Sequence, residues 1–191
     1  MVDLVLLQSV PNVIMAMTLC IAVMFYALNL REVARDRRVA LTYTLMQPLM
    51  SEEGNKRFIE LMNMEWKDID DFNSRYNPRS NPENYSKRMF FWSLCDSLGY
   101  LCRKNMIDVN LLFSVSNLVI QSIWVKFRPV IHDYRKTEYN ENALNNFEFL
   151  IDALNKVQAR IDVAKVDREK EQEEHESMRY LAYNWWPQNA R

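Results

Sequence analysis

The residues best equipped for chemistry gather between Trp124 and Lys136. Lys126, Arg128, His132, Arg135 and Lys136 lie there among Trp124, Phe127 and Tyr134. Such a set could bind an anion or a nucleotide, with an arginine gripping phosphate and an aromatic ring to stack on. Trp124, Arg128 and His132 are the candidate pocket residues on that reading. The plainer reading is a helix end whose cations sit on the negative pole of the helix dipole, with Trp124 and Phe127 in a core; it is preferred. His132 and Asp133 are adjacent, so they do not share a helix face and form no acid–base dyad.

Metal chemistry in a helical bundle needs carboxylates and histidines facing inward, often as Glu-x-x-His. Neither histidine has a glutamate three residues before it: Gln172 precedes His175, and Pro129 precedes His132. Glu65, Asp68, Asp70 and Asp71 are a denser acidic group, but they lack the spacing and the glycine of a calcium loop. Nucleophilic catalysis needs a serine or cysteine beside a base, and two histidines offer few partners. We therefore expect no catalytic, metal or cofactor site.

Whatever positions these side chains is helical. The chain has only two glycines, Gly54 and Gly99, in 191 residues. Hairpins and phosphate-cradling loops draw on glycine, so this argues for an all-α protein and against nucleotide loops of that kind. With 24 Lys+Arg against 25 Asp+Glu, no overall field points to nucleic acid. Cys95 and Cys102 are seven apart, about 10 Å along a helix, too far for a disulfide. With Cys20 they read as small buried residues in a reducing compartment.

No charged residue occurs from Leu4 to Leu30. Pro11 to Leu30 would make a helix about 30 Å long, matching a bilayer's hydrocarbon core. Pro11 suits a first helical turn. No basic residue precedes the stretch and no small-x-small cleavage site follows it, so a retained transmembrane anchor fits better than a signal peptide. Arg31, Arg35, Arg37 and Arg38 follow it. By the positive-inside rule the amino terminus faces out and the remainder lies in the cytoplasm, in a cell-membrane protein of one span. The same arginines could hold anionic headgroups. The bilayer is thus the first expected partner.

Residues 31–166 read as a cytoplasmic helical bundle. The anchor helix should continue to an exit at Pro48. Ser51, Asp68, Asn81 and Asp108 stand where helix caps belong, with Pro82 at a first helical position. The helix from Asn81 to about Lys104 is apolar on two sides, as a central helix is. A second central helix follows Asp108, and Pro129 should break or kink it. A closing helix should begin near Asn140 and pack on the core through Leu144, Phe147, Ile151, Leu154 and Ile161.

The order of these parts resembles the DUF4760 family of membrane-anchored helical proteins, found in bacteria and archaea. The matching residues are Ile107 and Asp108 before a central helix, then Trp124, Phe127, Pro129, Ile131 and Arg135, then Phe147, Phe149 and Leu150. The resemblance covers roughly residues 12–158. It implies an anchored helical domain; the family's function is unknown, so it implies no catalytic residue.

Residues 167–191 lie beyond that pattern. Asp167 to Arg179 is polar all round, a solvated helix or a disordered stalk. Tyr180, Leu181, Tyr183, Trp185 and Trp186 then cluster, and they are the candidate contacts to a protein partner or neighbouring subunit. Packing on their own bundle and lying on the bilayer surface are the alternatives. The leading expectation is a membrane-anchored interaction module, a scaffold or accessory subunit of a larger membrane assembly. The rivals are a ligand sensor or enzyme using Trp124, Arg128 and His132, and a self-assembling homo-oligomer.

Overall fold

The computed structural model describes the backbone of residues 4–137 and 140–185, and the side chains of residues 11–137 and 140–179. Among these residues there are six helices and no strand. They are α1 (Leu4–Met50), α2 (Glu52–Met62), α3 (Ile69–Tyr76), α4 (Pro82–Arg103), α5 (Val109–Thr137) and α6 (Asn145–Trp185). The all-α expectation holds.

α1 is one helix of 47 residues. From residue 11 to residue 40 every position is exposed, including Leu19, Phe25 and Leu28. This part is long and apolar enough to cross a membrane. Burial starts at Leu41 and Thr42, and the last turns dock through Met46 and Leu49. Pro48 lies inside α1, two residues before its end. The stop comes at Ser51, whose extended backbone breaks the helix and whose hydroxyl caps the Gly54 amide at 3.0 Å.

The other local caps act as their residue types require. Asp68 accepts from the Asp71 amide at 2.8 Å, and Asp71 accepts in return from the Lys67 amide at 3.0 Å. Asn81 caps α4 at Asn84, with Pro82 in the first turn. Asp108 accepts from the amides of Asn110 and Leu111.

α4 and α5 form the centre. Trp92, Phe91 and Leu98 of α4 are fully buried, as are Ile120, Ile123 and Phe127 of α5. Phe72 of α3 closes one end, edge-on to Trp66 at 5.0 Å and to Phe127 at 6.4 Å. Of the break or kink expected at Pro129, the break does not occur: α5 passes through it, and Pro129 is exposed, so water can satisfy a carbonyl that its ring leaves free. The expectation for α6 needs correction. α6 begins at Asn145, not near Asn140, and Ile161 is exposed rather than core. The core face of α6 ends at Val157.

The late start of α6 has a tertiary cause. Asp96, on α4, accepts from the amides of Asn146 and Phe147 at 3.0 Å each and from the Asn146 side chain at 3.1 Å. It caps a helix that is not its own. Gly99, one turn on, lets α6 approach: an added Cβ would stand 1.8 Å from the Asn146 carbonyl oxygen. Arg103 then lies over the Phe149 ring at 4.7 Å.

Candidate functional site

The basic and aromatic segment of α5 does not converge on one pocket. Trp124 is buried, edge-on to Phe147 at 5.0 Å and 6.3 Å from the His132 ring. Arg128 is exposed on the helix surface. His132 is half-buried, and its Nε2 is shut from solvent with no hydrogen-bond partner among the described residues. An open cleft beside it is lined by His132, Arg135, Lys136, Asn140 and Glu141. Trp124 and Arg128 are not among its walls, so the three candidate pocket residues stand apart.

The cations of this segment hold the fold instead. Lys126 reaches across to α2 and donates to the carbonyls of Met62 at 2.5 Å and Met64 at 2.7 Å. Met62 is the last residue of α2 and Met64 follows two residues on, so the cation also meets the negative end of the helix dipole. The ammonium lies 5.1 Å from the Trp66 ring centre. Burial pushes the Lys126 ammonium below the usual lysine range, against the pull of Glu65. Arg135 donates to the Ala143 carbonyl at 2.7 Å and to Glu148 at 2.8 Å, fastening the α5–α6 connection.

Arg88 is the cation that spacing alone did not single out. It is fully buried. Its guanidinium lies 4.6 Å from the Phe72 ring and 5.2 Å from Trp92, and it donates to the Tyr76 carbonyl at 3.1 Å. An arginine sandwiched this way fills an aromatic core with a planar cation. Its position in an apolar helix, four before Trp92, is the only sequence signal for it.

Two members of the acidic group near α3 are occupied with local work. Asp68 and Asp71 cap and brace α3, and Asp71 also pairs with Arg75 at 2.7 Å. No cluster of three or more His, Cys, Asp or Glu gathers among the described residues. Of the three cysteines expected to be buried, Cys95 is buried, Cys102 is half-buried and Cys20 is exposed on the apolar stretch of α1; burial pushes the Cys95 and Cys102 thiols above their usual range, away from the nucleophilic thiolate.

Two surfaces remain. Arg31, Arg35, Arg37 and Arg38 are all exposed on α1 between its apolar stretch and the bundle. Thr42 fastens that junction: its hydroxyl donates to the Arg38 carbonyl at 2.6 Å and accepts from the Asp108 amide at 2.8 Å. On the bundle, α5 turns an apolar row outward, with Leu118 78% and Val125 72% exposed and Val115 beside them. The spacing of three and seven keeps the row on one helix face. Of the carboxyl-terminal candidates, Tyr180, Leu181, Tyr183 and Trp185 lie on the backbone of α6, their side chains outside the described residues; Trp186 lies wholly outside them.

The sequence model of one protein family, described as a domain of unknown function (DUF4760), matches residues 13–154, well over half of the chain. The match includes the exposed apolar stretch of α1 from residue 13 and ends within α6. No curated protein and no solved structure matches the chain.

Proposed function

We propose that the chain, which belongs to the DUF4760 family, is a single-span membrane protein whose helical bundle is an interaction module without catalysis of its own. α1 crosses the cell membrane with the amino terminus outside. Arg31, Arg35, Arg37 and Arg38 mark the cytoplasmic face. The bundle hangs in the cytoplasm as a scaffold or accessory subunit of a larger membrane assembly.

The observation that carries this reading is the row of Val115, Leu118 and Val125 on α5. α5 is a core helix on its other side, where Ile120, Ile123 and Phe127 are fully buried. Large apolar side chains aligned on a fixed, well-packed helix suit the centre of a protein contact. Reactive groups nearby are engaged in structure, as Lys126 and Arg135 show.

The test is extraction of the whole protein from its native membrane in mild detergent, followed by sizing and mass spectrometry. A companion at fixed stoichiometry that is lost in Leu118→Lys supports the module. Retention of the companion in Leu118→Lys places the contact elsewhere and removes the observation on which the reading stands. A homo-oligomer that Leu118→Lys dissociates supports the self-assembling alternative. A lone monomer with no companion overturns the interaction reading.

A further inference from the structure

α5 and α6 run antiparallel. Arg135 meets Glu148 near the start of α6, and Gln121 donates to Asn155 at 2.8 Å further along. Beyond that bond the two helices frame a cleft of about 350 Å³. Its floor is apolar: Phe113 comes from α5, and Val157, Ile161 and Ala164 come from one face of α6. Val157 is buried, whereas Ile161, one turn on, is 42% exposed. Ile161 thus keeps the spacing of a core position and faces an open slot.

The rim is positive. Arg160 and Arg168 both border the cleft, and no carboxylate is among its walls. They stand one turn to either side of Ala164, about 12 Å apart along α6. Each leans back along the helix, its Nε donating to a carbonyl four residues earlier, that of Lys156 at 3.3 Å and that of Ala164 at 3.1 Å. Arg57, Arg75 and Arg135 are each held by a carboxylate; among the described residues Arg160 and Arg168 are not. Asn110 lies eleven residues before Gln121, and Arg168 thirteen after Asn155. In an antiparallel pair they therefore come to the same end of the slot. Asp108, just beyond Asn110, is taken up with capping α5.

We propose that this cleft binds a single-chain anionic amphiphile, an alkyl chain ended by a carboxylate, with the head at Arg168 and Asn110 and the chain laid over Ile161, Val157 and Phe113. A guanidinium grips a carboxylate with two parallel bonds, and a side-chain amide adds a further donor. The chain takes out of water the apolar area that Ile161 leaves open. Arg160 extends the positive rim that draws an anion in. From Arg168 to Val157 is about 16 Å of α6, the length of a dodecyl chain with its head. One slot between two helices takes one alkyl chain and leaves no room for the second chain of a bilayer phospholipid. A mostly apolar cleft with a few placed polar groups is the usual form of a small-molecule site. None of Val115, Leu118 and Val125 lines it, so the site stands apart from the contact proposed above.

The test uses the full chain in nanodiscs of phosphatidylcholine. The probe is dodecanoate with a diazirine at its chain end, and peptide mapping by mass spectrometry reads where it attaches. We expect adducts on Phe113 and on residues 157–164, suppressed by excess plain dodecanoate and not by dodecanol. Arg168→Gln should raise the concentration needed for half-labelling by about tenfold, as the loss of a charge-assisted contact does. Arg128→Gln, exposed on α5 and not among the cleft walls, should leave it unchanged. Adducts confined to α1, or spread evenly over the exposed helices, would overturn the site. So would adducts in the cleft that dodecanol suppresses as well as dodecanoate does, or that Arg168→Gln leaves unchanged. Suppression by phosphatidylglycerol in the discs as strong as that by dodecanoate would give the cleft to a membrane lipid and overturn the single-chain ligand.

Discussion

Gly99→Ala tests the central contact of the bundle by the sign of its effect. On an isolated helix, replacing glycine by alanine stabilises by about 1 kcal/mol. Here the new Cβ would stand 1.8 Å from the Asn146 carbonyl oxygen, roughly half of an ordinary van der Waals separation, so α4 and α6 must part by about 1.5 Å. Overpacking of this kind costs about 1–3 kcal/mol. Parting the helices also strains the three hydrogen bonds that Asp96 accepts from Asn146 and Phe147, each worth about 1 kcal/mol or somewhat more. Set against the alanine gain, the net loss is about 2–4 kcal/mol. For a chain of this size that lowers Tm by roughly 4–15 °C. The assay is thermal unfolding of the whole chain in mild detergent, followed by the near-ultraviolet circular dichroism of its aromatic core. Ser97→Ala, exposed on the same helix, is the control and should stay within about 0.5 kcal/mol of the parent. A Gly99→Ala protein as stable as the parent, or more so, would refute the close approach of α4 and α6. In the double variant with Asp96→Ala the losses should be less than additive, because both act through one contact.

Thr42→Val strands the Asp108 amide and should cost about 1–3 kcal/mol; hydrogen exchange at that amide should speed up while amides of α4 keep their protection. Lys126→Met keeps the apolar stem but leaves the Met62 and Met64 carbonyls without their cation, a loss of about 1–3 kcal/mol by the same melting assay. Because burial holds the Lys126 pKa below the ordinary lysine value, the unfolded chain keeps the proton to higher pH than the folded one. The stability of the parent relative to Lys126→Met should therefore rise further with pH across that alkaline interval, this pH-dependent increment being complete above the ordinary lysine value and absent below the depressed one. A flat difference across that interval would count against the burial of this ammonium. Cys95 should resist maleimide in the folded protein near neutral pH and react only on unfolding, which peptide mapping by mass spectrometry would show.

The parts of the fold that follow from neighbours in sequence were legible. Ser51, Asp68, Asn81 and Asp108 each cap the next helix because a short acceptor two or three residues ahead of an amide can reach it in no other way. The apolar run of α1 and the scarcity of glycine pointed to helices without any tertiary information. What could not be read is what acts at a distance. Asp96 caps α6 from α4, so the local turn signals around Asn140 placed the start of α6 five residues early. Lys126 and Arg135 looked like an anion site because the carbonyls and carboxylate that occupy them come from α2 and α6. Ile161 keeps the spacing of a core residue, but the bundle ends before it does. One signal was present and unused: Asp96 is a lone carboxylate in an apolar stretch of α4, three residues from one of only two glycines. A charge beside a gap in side-chain cover marks a crossing helix.

α1 runs unbroken from its apolar stretch into the packed bundle, with no glycine in it and its two prolines, Pro11 and Pro48, near its ends. A helix of that kind is stiff in torsion and has no joint between its apolar stretch and the bundle. With α1 in the bilayer, any rotation or piston movement of its buried half passes to the bundle undiminished, and the heading of the bundle becomes a matter of counting. One residue inserted between Arg31 and Val39 would swing the bundle by about 100° and displace it by about 1.5 Å; seven would displace it by about 10 Å and return it nearly to its original heading. On the reading of α1 as the anchor, the interval between the arginines and Thr42 is thus a gear setting: it sets the heading of α5 about the axis of α1.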